Sequence, residues 1–199
     1  NGSGSVPTDA TAYSSGATVT VAGNTGSLAK TGYTFGGWCT TQPAAGAACS
    51  GTSQAAASTF AISSNTTLYA VWTANSLTVT YDSQGGSAIS NGSTTTGASI
   101  ASSPGTPTRA GYTFNGWFAA SSGGSAISFA YAHGQTANFT LYAQWSAITY
   151  SVTYNGNTNG SGSVPTDATA YSSGATVTVA GNTGSLAKTG YTFGGWCTT

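Results

Sequence analysis

The 199-residue chain is almost uncharged, because Asp, Glu, Lys and Arg make up 3% of it, against roughly 25% in ordinary soluble proteins. Nucleic-acid binding needs clustered Lys and Arg side chains and is therefore excluded as a function. No apolar run has membrane-spanning length, so we expect no membrane insertion. Aromatic residues reach 12%, and disordered chains are poor in them, so the composition favours folded β modules over a flexible linker.

The chain contains an internal repeat. Residues 159–199 are identical to residues 1–41, and a related but diverged stretch lies between the two copies. We therefore predict two unit types, A and B. Residues 1–73 are a type A unit that lacks its first strand, residues 74–146 are a complete type B unit, and residues 147–199 are the N-terminal part of a second type A unit. These are called below the first, second and third units.

The first strand of a unit is best seen in the third unit. Residues 151–154 alternate, with Val152 and Tyr154 on one face, and Val79 and Tyr81 hold the same places in the second unit. The first unit starts after this point. We expect its sheet to have an open edge unless a preceding segment or a neighbouring molecule fills it.

Further strands and turns follow within each unit. Residues 17–21 alternate as Ala-Thr-Val-Thr-Val and predict a strand, and residues 23–26 read as a turn. Residues 27–30 are interpreted as one helical turn that Gly32 ends. Few segments have a helical period, so the predicted fold class is mainly β, with little helix.

An aromatic motif organises every unit. It occupies residues 32–38, 111–117 and 190–196, and a second aromatic strand follows at residues 67–72 and 140–145. Phe35 and Trp38 have opposite parity, so we expect a glycine β-bulge at Gly36-Gly37, which would return both rings to one face. The predicted core residues are Tyr33, Phe35, Trp38, Trp72, Tyr112, Phe114, Trp117 and Trp145. The alternative is a carbohydrate-stacking surface, for which Tyr13, Tyr69 and Tyr142 are best placed.

The combination of these motifs resembles the Listeria–Bacteroides repeat, the module found as the B repeat of listerial internalins. The resemblance rests on Gly-Tyr-Thr-Phe-x-Gly-Trp at residues 32–38 and 111–117, followed by Leu-Tyr-Ala-x-Trp at residues 68–72 and 141–145. It covers nearly the whole chain. It implies small β-grasp-like modules in tandem, forming an elongated array in long bacterial surface or secreted proteins. The very low charge and the cysteine pair depart from the family pattern and favour a dense assembly.

Two cysteines lie close together after the first aromatic motif. Cys39 and Cys49 are separated by a short loop, and a disulfide between them would stabilise a small module by roughly 2–4 kcal/mol. The alternatives are two free thiols or a zinc site, which would lack ligands because the single histidine is distant. A disulfide needs an oxidising compartment and thus argues for export. Cys197 is the repeat copy of Cys39.

No catalytic constellation is visible. His133 has no Cys, Asp or Glu near it in sequence, and we interpret it as a solvated loop residue. Asp9 and Lys30 occur once per type A unit. We expect the Lys30 stem to cover the Tyr33 ring or to form a weak salt bridge, rather than an isopeptide bond. We therefore expect no enzyme activity, no cofactor and no metal.

These observations lead to a structural hypothesis. The chain is expected to belong to an extracellular or cell-surface bacterial filament, sheath or stalk, whose tandem β repeats associate laterally or head to tail with copies of themselves. The alternative is the repeat stalk of a cell-surface adhesin that binds surface glycans or proteins.

Overall fold

A computed structural model describes residues 2–44 and 46–198 of the chain. All elements of regular secondary structure in this part are β-strands, which confirms the mainly β class. Accordingly, the described residues contain no helix of the length and apolarity that crossing a membrane requires.

The strands are numbered in chain order. Those of the first unit are β1 (Gly2–Ser3), β2 (Thr18–Thr20), β3 (Ala29–Lys30), β4 (Tyr33–Cys39), β5 (Ser53–Gln54), β6 (Thr59–Ala61) and β7 (Tyr69–Ala74). Those of the second unit are β8 (Ser76–Asp82), β9 (Gly92–Thr95), β10 (Ser99–Ile100), β11 (Tyr112–Phe118), β12 (Tyr131–Ala132) and β13 (Phe139–Ala147). The third unit contributes β14 (Thr149–Tyr150) and β15 (Tyr171–Ser172).

The second unit has a four-stranded sheet in the order β11-β13-β8-β9. Its first strand, β8, lies parallel to its last strand, β13, and Val79 pairs with Phe139 while Tyr81 pairs with Leu141. β8 alternates between exposed and buried residues along its whole length, as its sequence predicts. The buried face of β8 packs into a core with Trp117 and Leu141.

The first unit has a related but incomplete sheet. β4 is its central strand and pairs antiparallel with β3, β5 and β7, and β1 extends the sheet beyond β3. A separate ribbon joins β2 to β6, with Val19 opposite Phe60. In the part of this unit that the structure describes, β7 has β4 on one side and no strand on the other. This is the open edge that the sequence predicts.

The predicted glycine bulge is present in both units. The pairing of β4 with β7 shifts register between Phe35 and Gly37, and that of β11 with β13 shifts between Phe114 and Gly116. Gly37 has φ 109° and Gly116 has φ 121°, a region that L side chains rarely adopt. The bulge brings both rings to one face, and the centroids of Phe35 and Trp38 are 5.2 Å apart.

The helical turn predicted for residues 27–30 is wrong. The Asn24 side chain accepts a hydrogen bond from the backbone N–H of Leu28 at 2.7 Å and donates one to its carbonyl at 2.8 Å. This side chain closes a turn without a helix. Ala29 and Lys30 then form β3 and pair with β1, because tertiary pairing outweighs the weak helical preference of so short a segment.

The third unit has less regular structure. β14 pairs with β15, and an isolated bridge joins Ser161 to Ala187, matching the pairing of Ser3 with Ala29 in the first unit. Tyr154 and Leu186 are buried. Residues 151–154, predicted as a strand, are not one here. The described part of this unit offers them no last strand such as β13 with which to pair.

Candidate functional site

In the first and second units the aromatic motifs lie where the core forms. Trp38 and Trp117 are 5% and 2% exposed, and Phe35, Trp72, Phe114 and Trp145 are half-buried around them. The two tryptophans donate their indole N–H to the carbonyl oxygens of Ala22 and Gly105, at 2.9 and 3.0 Å. These contacts leave the tryptophan faces packed inside the units, away from any flat surface that could bind sugars.

The motif tyrosine of the second unit, Tyr112, lies outside this core, which corrects our expectation for that residue. Tyr33 is half-buried and Tyr112 is 37% exposed. The ammonium of Lys30 lies 4.1 Å from the Tyr33 ring centroid, and the guanidinium of Arg109 lies 3.9 Å from that of Tyr112. The charged heads of both side chains thus lie over the rings, whereas the prediction for Lys30 placed its stem there.

A disulfide joins Cys39 to Cys49, with their Cα atoms 5.5 Å apart. Cys39 ends β4 and is completely buried. Phe118, at the end of β11, holds the same place in the second unit and is also buried. The two unit types therefore close this end of the sheet differently, one by a covalent bond and the other by an aromatic side chain. Cys197 is a free, exposed thiol in the structure.

His133 is not a solvated loop residue, and that interpretation is wrong. It is 5% exposed, and its ring stacks on Phe139 with centroids 4.9 Å apart. Its Nδ1 accepts a hydrogen bond from the backbone N–H of Gln135 at 3.0 Å, and Nε2 lies 3.3 Å from the Thr94 hydroxyl. These contacts give the histidine a packing role that its polar sequence neighbours do not reveal.

Asp9 and Asp167 form the same local turn in the first and third units. Asp9 accepts hydrogen bonds from the Thr11 N–H at 2.9 Å and from the Tyr13 hydroxyl at 2.8 Å. The hydrogen bond from the Thr11 backbone, with further ones from the Thr11 and Tyr13 side chains, lowers the pKa of Asp9 below its ordinary value. The hydrogen bond that the Tyr13 hydroxyl donates to Asp9 raises the pKa of Tyr13 above its ordinary value. The residues that the structure describes contain no cluster of three metal-ligating side chains.

The joint between the first and second units is one residue long. Asn75 stands between β7 and β8, and its N–H donates to the carbonyl of Gly32 at 2.9 Å. Its own carbonyl accepts from the N–H of Thr96 at 3.0 Å. A β-carbon at Gly32 would lie 2.7 Å from Cγ2 of Thr96 and 2.9 Å from Cβ of Thr136. The glycine is therefore required for the close approach of the two units.

The joint between the second and third units repeats this arrangement. Ile148 stands alone between β13 and β14, and its N–H donates to the carbonyl of Gly111 at 2.8 Å. A β-carbon at Gly111 would lie 3.0 Å from Cβ of Ser173. Gly111 is the counterpart of Gly32 and Ser173 that of Thr96, so the two joints share the hydrogen bond to the glycine carbonyl and the contact of the glycine with the next unit.

The open edge of the first unit forms part of a groove of about 700 Å³. We call this the open groove; its lining includes Val6, Val19, Val21, Ala22, Trp38, Phe60, Ile62, Thr66, Thr67 and Leu68. In the second unit the corresponding space is filled by β8, whose Tyr81 ring lies 5.1 Å from that of Trp117. The consequence is visible at two equivalent leucines, since Leu141 is buried and Leu68 is only half-buried.

Comparison with known protein families agrees with this architecture. The model of the Listeria-Bacteroides repeat domain matches residues 1–71, 78–144 and 150–199, which is one match for each unit. The chain belongs to the Listeria-Bacteroides repeat family. The resemblance predicted from the two aromatic strands is thereby confirmed.

Three curated proteins show the settings in which such repeats occur. The chain is 40% identical over 141 residues to a membrane protein of Evansella cellulosilytica, covering 70% of the chain and 20% of that protein. It is 37% identical over 116 residues to Internalin H of Listeria monocytogenes, covering 58% and 20%. It is 32% identical over 170 residues to a Gly-rich membrane protein of Evansella cellulosilytica, covering 85% and 18%. The chain thus spans about a fifth of each relative.

Sequence reasoning missed the joints of these repeats. Gly32 and Gly111 were identified as part of the aromatic motif, but their contacts are with the following unit. Their partners, Thr96 and Ser173, lie in short turns before Gly97 and Gly174. The signal that could have found them is positional: a hydroxyl residue directly before a turn glycine occurs at the same place in the first, second and third units, as Ser15, Thr96 and Ser173.

Proposed function

We propose that the chain is a segment of an extracellular structural array, in which tandem repeats are held at fixed spacing to form a bacterial filament, sheath or stalk. The observation that carries this proposal is the repeated joint. A one-residue linker leaves consecutive units little freedom, and the same hydrogen bond and glycine contact recur at both joints. An array with equivalent joints has a constant step between units, as a mechanical element requires.

The low charge supports an assembly function for the array. Zero formal net charge and 3% charged residues leave little repulsion between neighbouring copies. Lateral contacts between such surfaces would depend weakly on salt, because screening acts on charges. The chain would accordingly associate with copies of itself, and the proposal assigns it neither a catalytic reaction nor a cofactor.

The cell surface is the proposed location. The disulfide between Cys39 and Cys49 favours an oxidising compartment. Relatives named as membrane proteins and as an internalin support a place at or near the cell envelope.

Three equivalent glycines provide the test. Gly32, Gly111 and Gly190 have φ of 78°, 77° and 80°, so a Gly→Ala change strains the backbone equally at all three. Only at Gly32 and Gly111 would the new β-carbon meet the next unit; at Gly190 nothing lies within 4 Å. We expect G32A and G111A to loosen their joints and G190A to leave both joints intact.

Small-angle X-ray scattering and hydrogen exchange measure this difference. G32A and G111A should broaden the distribution of interunit distances and speed exchange at the Asn75 and Ile148 amides, respectively, while G190A should match the unchanged chain. Equal behaviour of all three variants would contradict rigid joints and, with them, the proposed mechanical role.

A second candidate is the repeat stalk of an adhesin, in which the units themselves contact glycans or proteins. The match to Internalin H is the observation that favours it. A glycan array probed with the disulfide-bonded chain tests this candidate, and absence of binding would remove glycan recognition by these units.

A further inference from the structure

The ring of Tyr33 lies between two glycines that belong to different units. A β-carbon built at Gly97, in the second unit, would lie 3.1 Å from the Tyr33 hydroxyl oxygen. A β-carbon built at Gly46, in the loop that follows β4 of the first unit, would lie 3.4 Å from Cε1 of the same ring. The ring therefore fills the space between this loop and the following unit, and it contacts both.

Tyr33 also stands next to the hydrogen bond that links the two units. Its chain neighbour Gly32 accepts this bond from the N–H of Asn75, and Tyr33 itself pairs with Ala74 across β4 and β7. Gly32 contacts Thr96, the residue directly before the glycine that the Tyr33 hydroxyl reaches. The tyrosine side chain and this hydrogen bond are therefore parts of one contact between the units.

The loop after β4 depends on the disulfide for its position. We call residues 40–52 the disulfide loop. Within it, residues 42–44 and 46–51 make no hydrogen bond to the rest of the described chain. Cys49 lies in this part, and its bond to Cys39 attaches the loop to a completely buried position at the end of β4. Opening the disulfide would leave hydrogen bonds at the two ends of the loop alone.

A turn in the disulfide loop brings Gly46 to the tyrosine ring. The N–H of Ala47 donates to the carbonyl of Ala44 at 3.0 Å. Gly46 has φ 78°, a conformation that glycine adopts without strain. These features are local to the turn, so the position of the turn relative to Tyr33 depends on how the loop as a whole is attached.

The second unit, all of which the structure describes, differs at this place. Phe118 stands at the end of β11 in place of the cysteine. The loop that follows it contains Gly123 and Gly124, and nothing lies within 4 Å of a β-carbon built at either. Tyr112, the counterpart of Tyr33, is 37% exposed. The contact between the motif tyrosine and a loop glycine thus accompanies the disulfide.

We propose that Tyr33 is a positioning residue that couples the disulfide to the joint between the first and second units. While the bond between Cys39 and Cys49 is closed, the loop holds the ring against Gly97 and the joint is stiff. When the bond is opened, the loop is released and the ring gains room to move away from Gly97, which weakens the neighbouring hydrogen bond of Asn75. This coupling rests on the proposed array function, and it makes the stiffness of that array dependent on the redox state of its type A units.

A small dithiol, dithiothreitol, opens the bond in the test. Cys39 is completely buried and Cys49 is half-buried, so the Cys49 sulfur is the accessible point of attack. One thiolate of the reagent attacks this sulfur, and the second thiol of the reagent then displaces it from the mixed disulfide. Two electrons and two protons pass to the protein, which leaves two cysteine thiols and the cyclic disulfide of the reagent.

The experiment measures amide hydrogen exchange, residue by residue, in the 199-residue chain before and after reduction. The chain carries Cys197→Ala to remove the third thiol. The Asn75 amide reports on the joint, and the Ile62 amide, which donates to the carbonyl of Ala17 at 2.9 Å, reports on the stability of the first unit. Reduction should speed exchange at Asn75 by at least roughly twofold more than at Ile62, the lower end of couplings between residues in contact. Equal acceleration at both amides would overturn the proposal, because reduction would then only destabilise the unit.

Variants of Tyr33 test whether the coupling passes through its ring. Y33A removes the contacts with both glycines, so reduction should speed exchange at the two amides equally. Y33F keeps the ring beside Gly46 and loses the hydroxyl that reaches Gly97, so the excess at the joint amide should fall between those of the parent and Y33A. Y112A is the matched control in the second unit and should retain the full excess. An undiminished excess in Y33A would also overturn the proposal.

The outcome is separable from that of the proposed array function. The rigidity of the joint with the disulfide closed is read from G32A against G190A, whereas the coupling is read from the closed and open states of one sequence. A joint that G32A loosens and reduction leaves unchanged would refute the coupling alone. A G32A variant that matches G190A would refute the rigid array alone, because the comparison of exchange at Asn75 uses neither variant.

Discussion

The first and second units are built on the same two aromatic strands, yet only the second has a closed core. In the second unit β8 lies parallel to β13 and covers Leu141, so that Val79, Tyr81 and Trp117 are buried together. In the first unit the same place is the open groove, and Leu68 is half-exposed beside it. The pairing of β8 with β13 therefore accounts for the difference between the two cores.

The two units also differ at the end of the motif strand. It has a disulfide at Cys39 where the second has the Phe118 side chain. A covalent loop restricts the unfolded chain, which matters most where the core is small.

The largest expected effect comes from a matched pair of leucines. Leu141→Ala should destabilise the second unit by about 2–5 kcal/mol, because it leaves a cavity in a packed core. Leu68→Ala should cost about 1 kcal/mol or less, because that side chain is partly in solvent already. Hydrogen exchange in urea measures the loss of stability in both variants. Peptides from residues 42–74 and 75–147 report on the first and second units separately, because these stretches occur once in the sequence. Equal losses of stability from Leu141→Ala and Leu68→Ala in dilute solution would contradict the difference between the two cores.

The disulfide gives the next largest effect. Replacing Cys39 and Cys49 by Ala should destabilise the first unit by roughly 2–3 kcal/mol and leave the second unit unchanged. Chemical denaturation with the same unit-resolved exchange readout checks this expectation. Both the parent and the variant carry Cys197→Ala, because the free thiol of Cys197 could otherwise exchange with the disulfide. A loss in the second unit would mean that the two units unfold together.

The smallest effect concerns the Asp9 turn, which the second unit lacks. The folded pKa of Asp9 is depressed below 3.8 by hydrogen bonds, chiefly from Thr11. A depressed pKa means that the turn contributes stability above that ordinary value and loses it as the pH falls through the folded pKa. The carboxylate is exposed, so the contribution is small.

Thermal unfolding between neutral pH and about pH 3 tests this sign. Over this range the first unit of the parent chain should lose slightly more stability than the first unit of the D9N variant. The second unit should respond equally in both proteins. A parent first unit that gains stability on acidification would show that the hydrogen bonds to Asp9 do not favour the carboxylate.

The repeat period, the β class and the family could be predicted because they depend on local signals. Alternation in β8, paired glycines between Phe35 and Trp38, and two cysteines ten residues apart each specify their structure over a short stretch.

Tertiary structure decided the features that depend on distant partners. The parallel pairing of β8 with β13, the contact of His133 with Thr94 and the contact of Gly32 with Thr96 each join segments far apart in the sequence. Tyr112 was expected in the core because its type is hydrophobic, but its position beside Arg109 at a strand end left it exposed. Sequence pattern by itself determined the strands and turns of each unit, because these depend on neighbouring residues; only the packing of one strand against another determined which side chains are buried and how consecutive units meet.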